Sequence, residues 1–258
     1  MIPRSSHRRK AKTTSEKSVG KLNNRIPIRE GTCDISPPGD PEVHYFRTNS
    51  AASKITCKDI EDTDFSGAKI LHITGITAAL SESSLDAVYK AIDKARENNM
   101  LITFDPNIRA QLWKSEEYMV EVLNDIASKC DVILPGIKEG NILTGKETKE
   151  EIADFYLNSG AKAVVIKNGP SGAYLKTLEE EKIVPGFKVK KVVDTVGAGD
   201  GFATGVLSGL LDGQSYENAL IKGNAIGALM VTSKGDNSSL PTEEELEAFI
   251  MSHERVAM

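Results

Sequence analysis

The chain has 258 residues, 40% of them hydrophobic, and a formal net charge of −5. That content is enough to bury a sizeable core in one α/β domain, and no apolar run approaches the ~20 residues a membrane helix needs. The charge is uneven: residues 1–25 hold eight basic residues against Glu16 alone, which puts +7 there and −12 on the remainder, and an acidic body argues against nucleic acid as the main partner.

Residues 1–28 read as a basic, disordered tail without the apolar stretch of a secretory signal, although their Ser and Arg content also suits a transit peptide. Cys33, Cys57 and Cys130 are odd in number and form no CxxC pair. That pattern suggests reduced thiols, no structural zinc and a cytoplasmic location.

After a turn signal at 36–41, "EVHYFR" (42–47) alternates as a strand does. A regular rhythm follows. "AKILHITG" (68–75) predicts a strand, "SSLDAVYKAIDKARENN" (83–99) a helix, and "MLITFD" a strand ending at Asp105. Residues 115–130 predict a helix capped by Ser115, "DVILP" (131–135) a strand, 147–158 a helix, and "AKAVVIKNG" (161–169) another strand. Two short β segments, 172–178 and 182–193, precede helices at 199–212, 215–232 and 242–254, the last with the Thr242/Glu245 capping-box spacing. Strands alternating with helices imply parallel βαβ units covered on both faces. Ligands of such sheets bind beyond the carboxyl ends of the strands, so Asp105, Pro135–Glu139, Lys167–Gly169 and Asp194–Asp200 are expected on one rim.

"GNILTGKE" (140–147) nearly matches the phosphate-binding pattern GxxxxGK[ST], but Glu147 stands where a metal-binding hydroxyl is required. A loop leading into the next helix is the better reading. "DTVGAGDGFATG" (194–205) is more informative. Gly197, Ala198 and Gly199 carry almost no side-chain bulk and lie where a helical period begins. Glycines let a ligand approach the backbone, and the first N–H groups of a helix lack internal partners at the positive end of its dipole. The stretch therefore suits an anion, phosphate above all. Asp200 within it reads either as a helix cap or as a functional carboxylate.

"DTVGAGDGFATGVLSGLLDG" closely resembles the second signature of the ribokinase/PfkB carbohydrate kinases, and the likeness runs from about Gly39 to the end of the chain. Within that family, "GDPEVHYFRTNSAAS", "LHITGITAALS", "FDPNIR" and "SKGD" are most similar to 2-keto-3-deoxygluconate kinases. The resemblance implies a doubly wound, mostly parallel α/β domain over 29–258, with a small β lid represented by a remnant at about 31–50. It implies transfer from ATP, with Mg²⁺, to a sugar or sugar acid. Gly197, Ala198 and Gly199 would form the anion hole and Asp200 the general base. Asp194, Thr195, Lys167, Gly169 and Asn224 would border the nucleotide; Lys167 reads equally as a solvated strand end, and Asn224 as a polar residue on a helix face. Glu139 matches the acid of the family's NxxE motif, which orders metal-bound water, but Gly136 stands where asparagine is usual. Arg109, Asp236, Tyr45 and Arg47 resemble contacts to the acceptor, the last two reading also as the exposed face of an alternating strand. Arginine suits a sugar acid because its fork donates two parallel hydrogen bonds to a carboxylate.

Family members begin with a sheet strand, lid strands and a Gly-Gly motif that grips the sugar, and none of these stands before Arg29. The expectation is therefore a truncated kinase with its nucleotide half nearly complete and its sugar half damaged. A second chain, including another copy of this one, would be one way to cover the surface such a loss exposes. A remnant that binds nucleotide or a partner without efficient turnover is the alternative.

Overall fold

Alternation of apolar residues along short β-rich runs sets the central sheet. The computed structural model describes residues 32–33, 43–44, 49–233 and 240–257. Six strands lie side by side in chain order: β3 (Ile70–Thr74), β4 (Leu101–Asp105), β5 (Val132–Ile133), β6 (Ala163–Lys167), β7 (Gly172–Thr177) and β8 (Glu181–Pro185). The first four are parallel, and β7 and β8 return antiparallel. Ahead of them, β1 (Thr32–Cys33) pairs antiparallel with β2 (Val43–His44) as a separate two-stranded sheet. The expected tail at 1–28 falls outside the described residues.

Because successive side chains point to opposite faces, β4, β5 and β6 each feed two cores, and β3 one. On one face Ile73, Ile102, Phe104, Ile133, Val164 and Ile166 meet helices α3 (Glu82–Glu97), α4 (Glu116–Ser128) and α6 (Lys149–Asn158). On the other, Val132, Leu134, Ala163 and Val165 meet Phe202 and Val206 of α7 (Ala198–Leu211) and Leu220 of α8 (Tyr216–Met230). Full burial of a side chain such as Phe104, at 0% exposure, contributes roughly 1.5–3 kcal/mol. Helices on both faces of a mixed six-stranded sheet are the expected architecture.

Local chemistry sets the helix starts. Ser115 accepts the Tyr118 N–H at 3.2 Å, and Thr242 and Glu245 form the predicted capping box at the head of α9 (Glu243–Ser252). Two expectations are corrected. Residues 137–144 form a helix, α5 (Ile137–Thr144), and only 145–148 are loop. The strand expected over 182–193 stops at Pro185, beyond which the chain bridges from Phe187 to Arg255. α1 (Cys57–Glu61) and α2 (Gly75–Ala79) lie outside the expected rhythm.

α7 and α8 pack backbone to backbone. A Cβ at Gly205 would lie 2.6 Å from the Gly223 Cα, so only glycine permits this approach. The contact fixes α7, and with it the position of its N-terminus over the rim.

Candidate active site

β4, β5 and β6 run parallel, so their carboxyl ends and the loops that follow them emerge on one side. The register places His72 opposite Thr103 and Thr74 opposite Asp105. Alternation puts His72, Thr103, Asp105 and Lys167 on the face that carries α7. His72 Nδ1 lies 2.9 Å from Thr103 Oγ1. Burial, with the Lys167 ammonium nearby, pushes the His72 imidazole down to about 4, which keeps it neutral.

At the start of α7, Gly197 adopts φ 79°, a left-handed conformation that glycine takes without strain. Ala198 N–H takes the Thr195 carbonyl at 3.3 Å, whereas Gly199 and Asp200 N–H bond to no backbone carbonyl among the described residues. Space beside Gly199 is open, with nothing within 4 Å of the point a Cβ would occupy. These N–H groups at the positive helix end form a cradle for an anion. Asp194, half-buried, accepts the Val196 N–H at 3.0 Å, and its own N–H and that of Val193 are tied to the Val231 carbonyl at the end of α8. Thr195 and Asp200 are exposed.

Facing Asp200 is the turn after β4. Asn107 has φ 40° and lies with Nδ2 at 3.5 Å from Asp200 Oδ1, a long contact. Arg109, half-buried, donates from Nη1 to the Ile108 carbonyl at 2.8 Å. Asp105 Oδ1 accepts the Asn107 N–H at 3.1 Å. Lys167 Nζ grips both Asp105 oxygens at 2.8 and 2.6 Å and lies 3.8 Å from Glu139 Oε2. Glu139 Oε1 in turn accepts the Ile108 N–H at 2.8 Å.

The structure thus brings Asp200, the 197–199 cradle, Asp194, Thr195, Lys167, Glu139 and the Arg109 turn to one rim. Gly169, at φ 53°, opens the exposed turn between β6 and β7. Lys167 is no solvated strand end: its ammonium is the counter-ion of a carboxylate only 3% exposed. Asn224 is buried and spends its amide on the Val184 and Pro185 carbonyls at 3.0 and 3.2 Å, which fastens α8 to β8. Tyr45, Arg47 and Asp236 fall outside the described residues. Asn107, His72 and Thr103 were not singled out in the sequence. The period-2 pairing of Thr103 with Asp105 along β4, and the Pro-Asn turn signal after it, were the available clues.

The chain is similar in sequence and in fold to known proteins. The profile of the pfkB family carbohydrate kinases matches residues 29–243. The 2-dehydro-3-deoxygluconokinase of Bacillus subtilis (strain 168) is 49% identical over 218 residues, which span 84% of this chain and 67% of that protein. In structure, the PfkB protein from Polaromonas sp. JS666 superposes with a TM-score of 0.74 at 41% identity, covering 84% of this chain and 69% of the other. A putative Ribokinase II from E. coli, solved in complex with ATP and Mg²⁺, gives 0.76 at 29% identity, covering 86% and 71%. Among the described residues no helix is long and apolar enough to cross a membrane. With the signature at the head of α7 and the profile match over most of its length, the chain belongs to the pfkB family of carbohydrate kinases.

Proposed function

We propose that the protein phosphorylates a sugar acid from ATP, with 2-keto-3-deoxygluconate, converted to its 6-phosphate, as the acceptor. The observation that carries this reading is the opposition of Asp200, at the open N-terminus of α7, to the Asn107–Arg109 turn 3.5 Å away. The likeness to the Bacillus subtilis kinase supports the choice of acid.

Phosphoryl transfer needs positioning and charge stabilisation more than covalent help. Asp200 accepts the proton of the acceptor hydroxyl as that oxygen attacks the γ-phosphorus. The bond to the leaving ADP oxygen breaks, and the N–H groups at 197–199 stabilise the charge that develops on the phosphoryl oxygens, Gly199 with an unengaged N–H and Ala198 by giving up the Thr195 carbonyl that it holds at 3.3 Å. Arg109 pairs with the acceptor carboxylate. Tyr45, Arg47 and Asp236 complete the acceptor pocket in this reading.

The open space at Gly199 and the unengaged helix N–H groups fit a triphosphate, with Asp194, Thr195 and the Gly169 turn along its border. Lys167 and Asn224, whose nitrogens are engaged inside the protein, shape that border. Among the described residues no three His, Cys, Asp or Glu side chains cluster. Asp194, half-buried just ahead of the helix start, is a single carboxylate of the kind that fits a hydrated Mg²⁺ carried with the phosphates, which would supply neutralisation of phosphate charge. Asp194 would approach it, and Glu139 only through water, since both its oxygens accept main-chain N–H groups.

A coupled ADP-release assay on folded protein tests the proposal. Asp200→Asn should lower turnover by about 10²–10⁴, the range for a positioned base, with little change in ATP affinity. Near-wild-type turnover would remove Asp200 from the mechanism. Equal turnover of ribose, fructose and the sugar acid would defeat the acceptor assignment but leave the kinase. Nucleotide binding without any turnover would favour the reading of a binding remnant.

A further inference from the structure

Glu139 lies three residues after Gly136, in the first turn of α5, and its carboxylate is bonded twice to the main chain. Oε2 accepts the Gly136 N–H at 2.7 Å, a local cap, and Oε1 accepts the Ile108 N–H at 2.8 Å, 31 residues away in the turn after β4. The neighbouring N–H of that turn, from Asn107, is held by Asp105 Oδ1 at 3.1 Å. Lys167 joins the two acids, 2.6 Å from Asp105 Oδ2 and 3.8 Å from Glu139 Oε2. Two successive N–H groups are thus gripped by two carboxylates around one ammonium. The grip suits the turn, because Asn107 has φ 40°, in the left-handed region that asparagine tolerates better than other side chains but that still carries some strain. Its amide is the group that faces Asp200.

Gly136 bears on the same point. A Cβ at that position would stand 3.2 Å from Glu139 Oε2, so a larger residue would make the carboxylate give by a few tenths of an ångström at the contacts it now holds. Glycine there leaves room for Glu139 to fold back and reach Ile108.

We propose that Glu139 is a positioning residue for the acceptor side of the site: by holding the Ile108 N–H it fixes the Asn107–Arg109 turn against Asp200. The proposal rests on the reading of Asp200 as base. Glutamine at 139 would keep one acceptor oxygen but present an amide NH₂ to the second main-chain N–H, so one of the two contacts must be lost.

The test is Glu139→Gln assayed with acceptor, ATP and Mg²⁺ varied separately, alongside Asn107→Ala and Gly136→Asn. Hydrogen exchange is followed on the peptide spanning 105–112, and acceptor Kd by calorimetry stands in for KM should turnover be slow. Glu139→Gln is expected to raise the acceptor KM or Kd about tenfold. The KM for ATP should stay within about twofold, and exchange at Asn107 and Ile108 should speed up. Asn107→Ala should show the same acceptor-specific change, and the double variant should be no worse than the worse single. Gly136→Asn should move in the same direction.

An unchanged acceptor constant in Glu139→Gln, with a raised Mg²⁺ requirement, would overturn the proposal in favour of action through the metal. Should Glu139→Gln not fold, unchanged acceptor constants in both other variants overturn it equally. Asp200→Asn, run in parallel, separates the two ideas. Full turnover in that variant removes the base, whereas lost turnover there with normal acceptor binding in Glu139→Gln removes only the positioning role.

Discussion

Each end of the parallel sheet holds one nearly buried aspartate, and the two are used differently. At the amino end Asp131, its side chain 3% exposed, takes Arg96 Nη1 at 2.8 Å on both oxygens, Lys162 at 3.0 Å and the buried Ile102 N–H at 2.8 Å. Its cations are themselves well exposed, at 44% and 68%. At the carboxyl end Asp105, equally buried, has one cation, Lys167, which is 18% exposed and shared with Glu139. The first arrangement saturates a carboxylate and joins α3 to β4 and the start of β6. The second leaves an ammonium and two acids interdependent and spends their remaining contacts on the Asn107 and Ile108 N–H groups. A closed staple confers stability, whereas a shared counter-ion confers position.

Breaking each end in turn tests that contrast. Lys167→Met should have the larger effect. It leaves Asp105 buried without its cation beside Glu139, a loss that costs about 3–5 kcal/mol when one partner of a buried pair is removed. A denaturant midpoint measures it, and acceptor binding should weaken in the protein that remains folded. Asp131→Ala should cost less, about 1–3 kcal/mol, because the Ile102 N–H loses its partner while Arg96 and Lys162 can rehydrate. Turnover per folded molecule should not change in that variant. Equal losses of stability from both changes, or a turnover defect in Asp131→Ala, would erase the distinction between the two ends.

What could be read in advance follows the same line between local and distant. The strand–helix rhythm, the Ser115 and Thr242 caps and the glycine-rich start of α7 depend on residues close in sequence, and all were legible. The loop expected over 140–147 gives way to α5 as far as Thr144; only Gly140 lies inside that helix, with Gly136 and Gly145 at its two caps. Gly140 is in fact required by packing, since a Cβ there would lie 2.7 Å from Ile152 Cγ2 on α6. The alternation of 188–193 suggested a strand, but the sheet ends at β8 and offers that segment no partner among the described residues. In the site, the signature around Asp200 was legible, whereas the partnership of Lys167 with Asp105 spans 62 residues and that of Glu139 with Ile108 spans 31. No local pattern encodes either.

Acid sharpens the comparison further, because the two ends should respond in separate pH windows. At the rim, His72 is pushed down to about 4 by burial, with the Lys167 ammonium as the second cause, against an ordinary value of 6.5. As pH falls below 6.5 the unfolded chain takes up a proton that the folded protein refuses until about 4, so stability must decline across that interval. The full shift would amount to roughly 3 kcal/mol, and partial solvent exposure reduces the expected change to about 1–2 kcal/mol. At the amino end, burial alone would raise the Asp131 carboxyl, but hydrogen bonds from Arg96, the Ile102 N–H and Lys162 outweigh it and hold the group below its ordinary 3.8. The stability it confers is complete above that value and is lost only as pH falls through the lower folded one. Unfolding free energies measured from pH 7 to pH 3 in wild type, His72→Gln and Asp131→Asn should separate the two. His72→Gln should flatten the decline between about 6.5 and 4 and leave the steeper acid limb in place, whereas Asp131→Asn should lower the whole curve and soften only that limb. An unaltered slope between 6.5 and 4 in His72→Gln would show that the imidazole is protonated within the fold, and so that Lys167 and burial do not keep the rim neutral at that position.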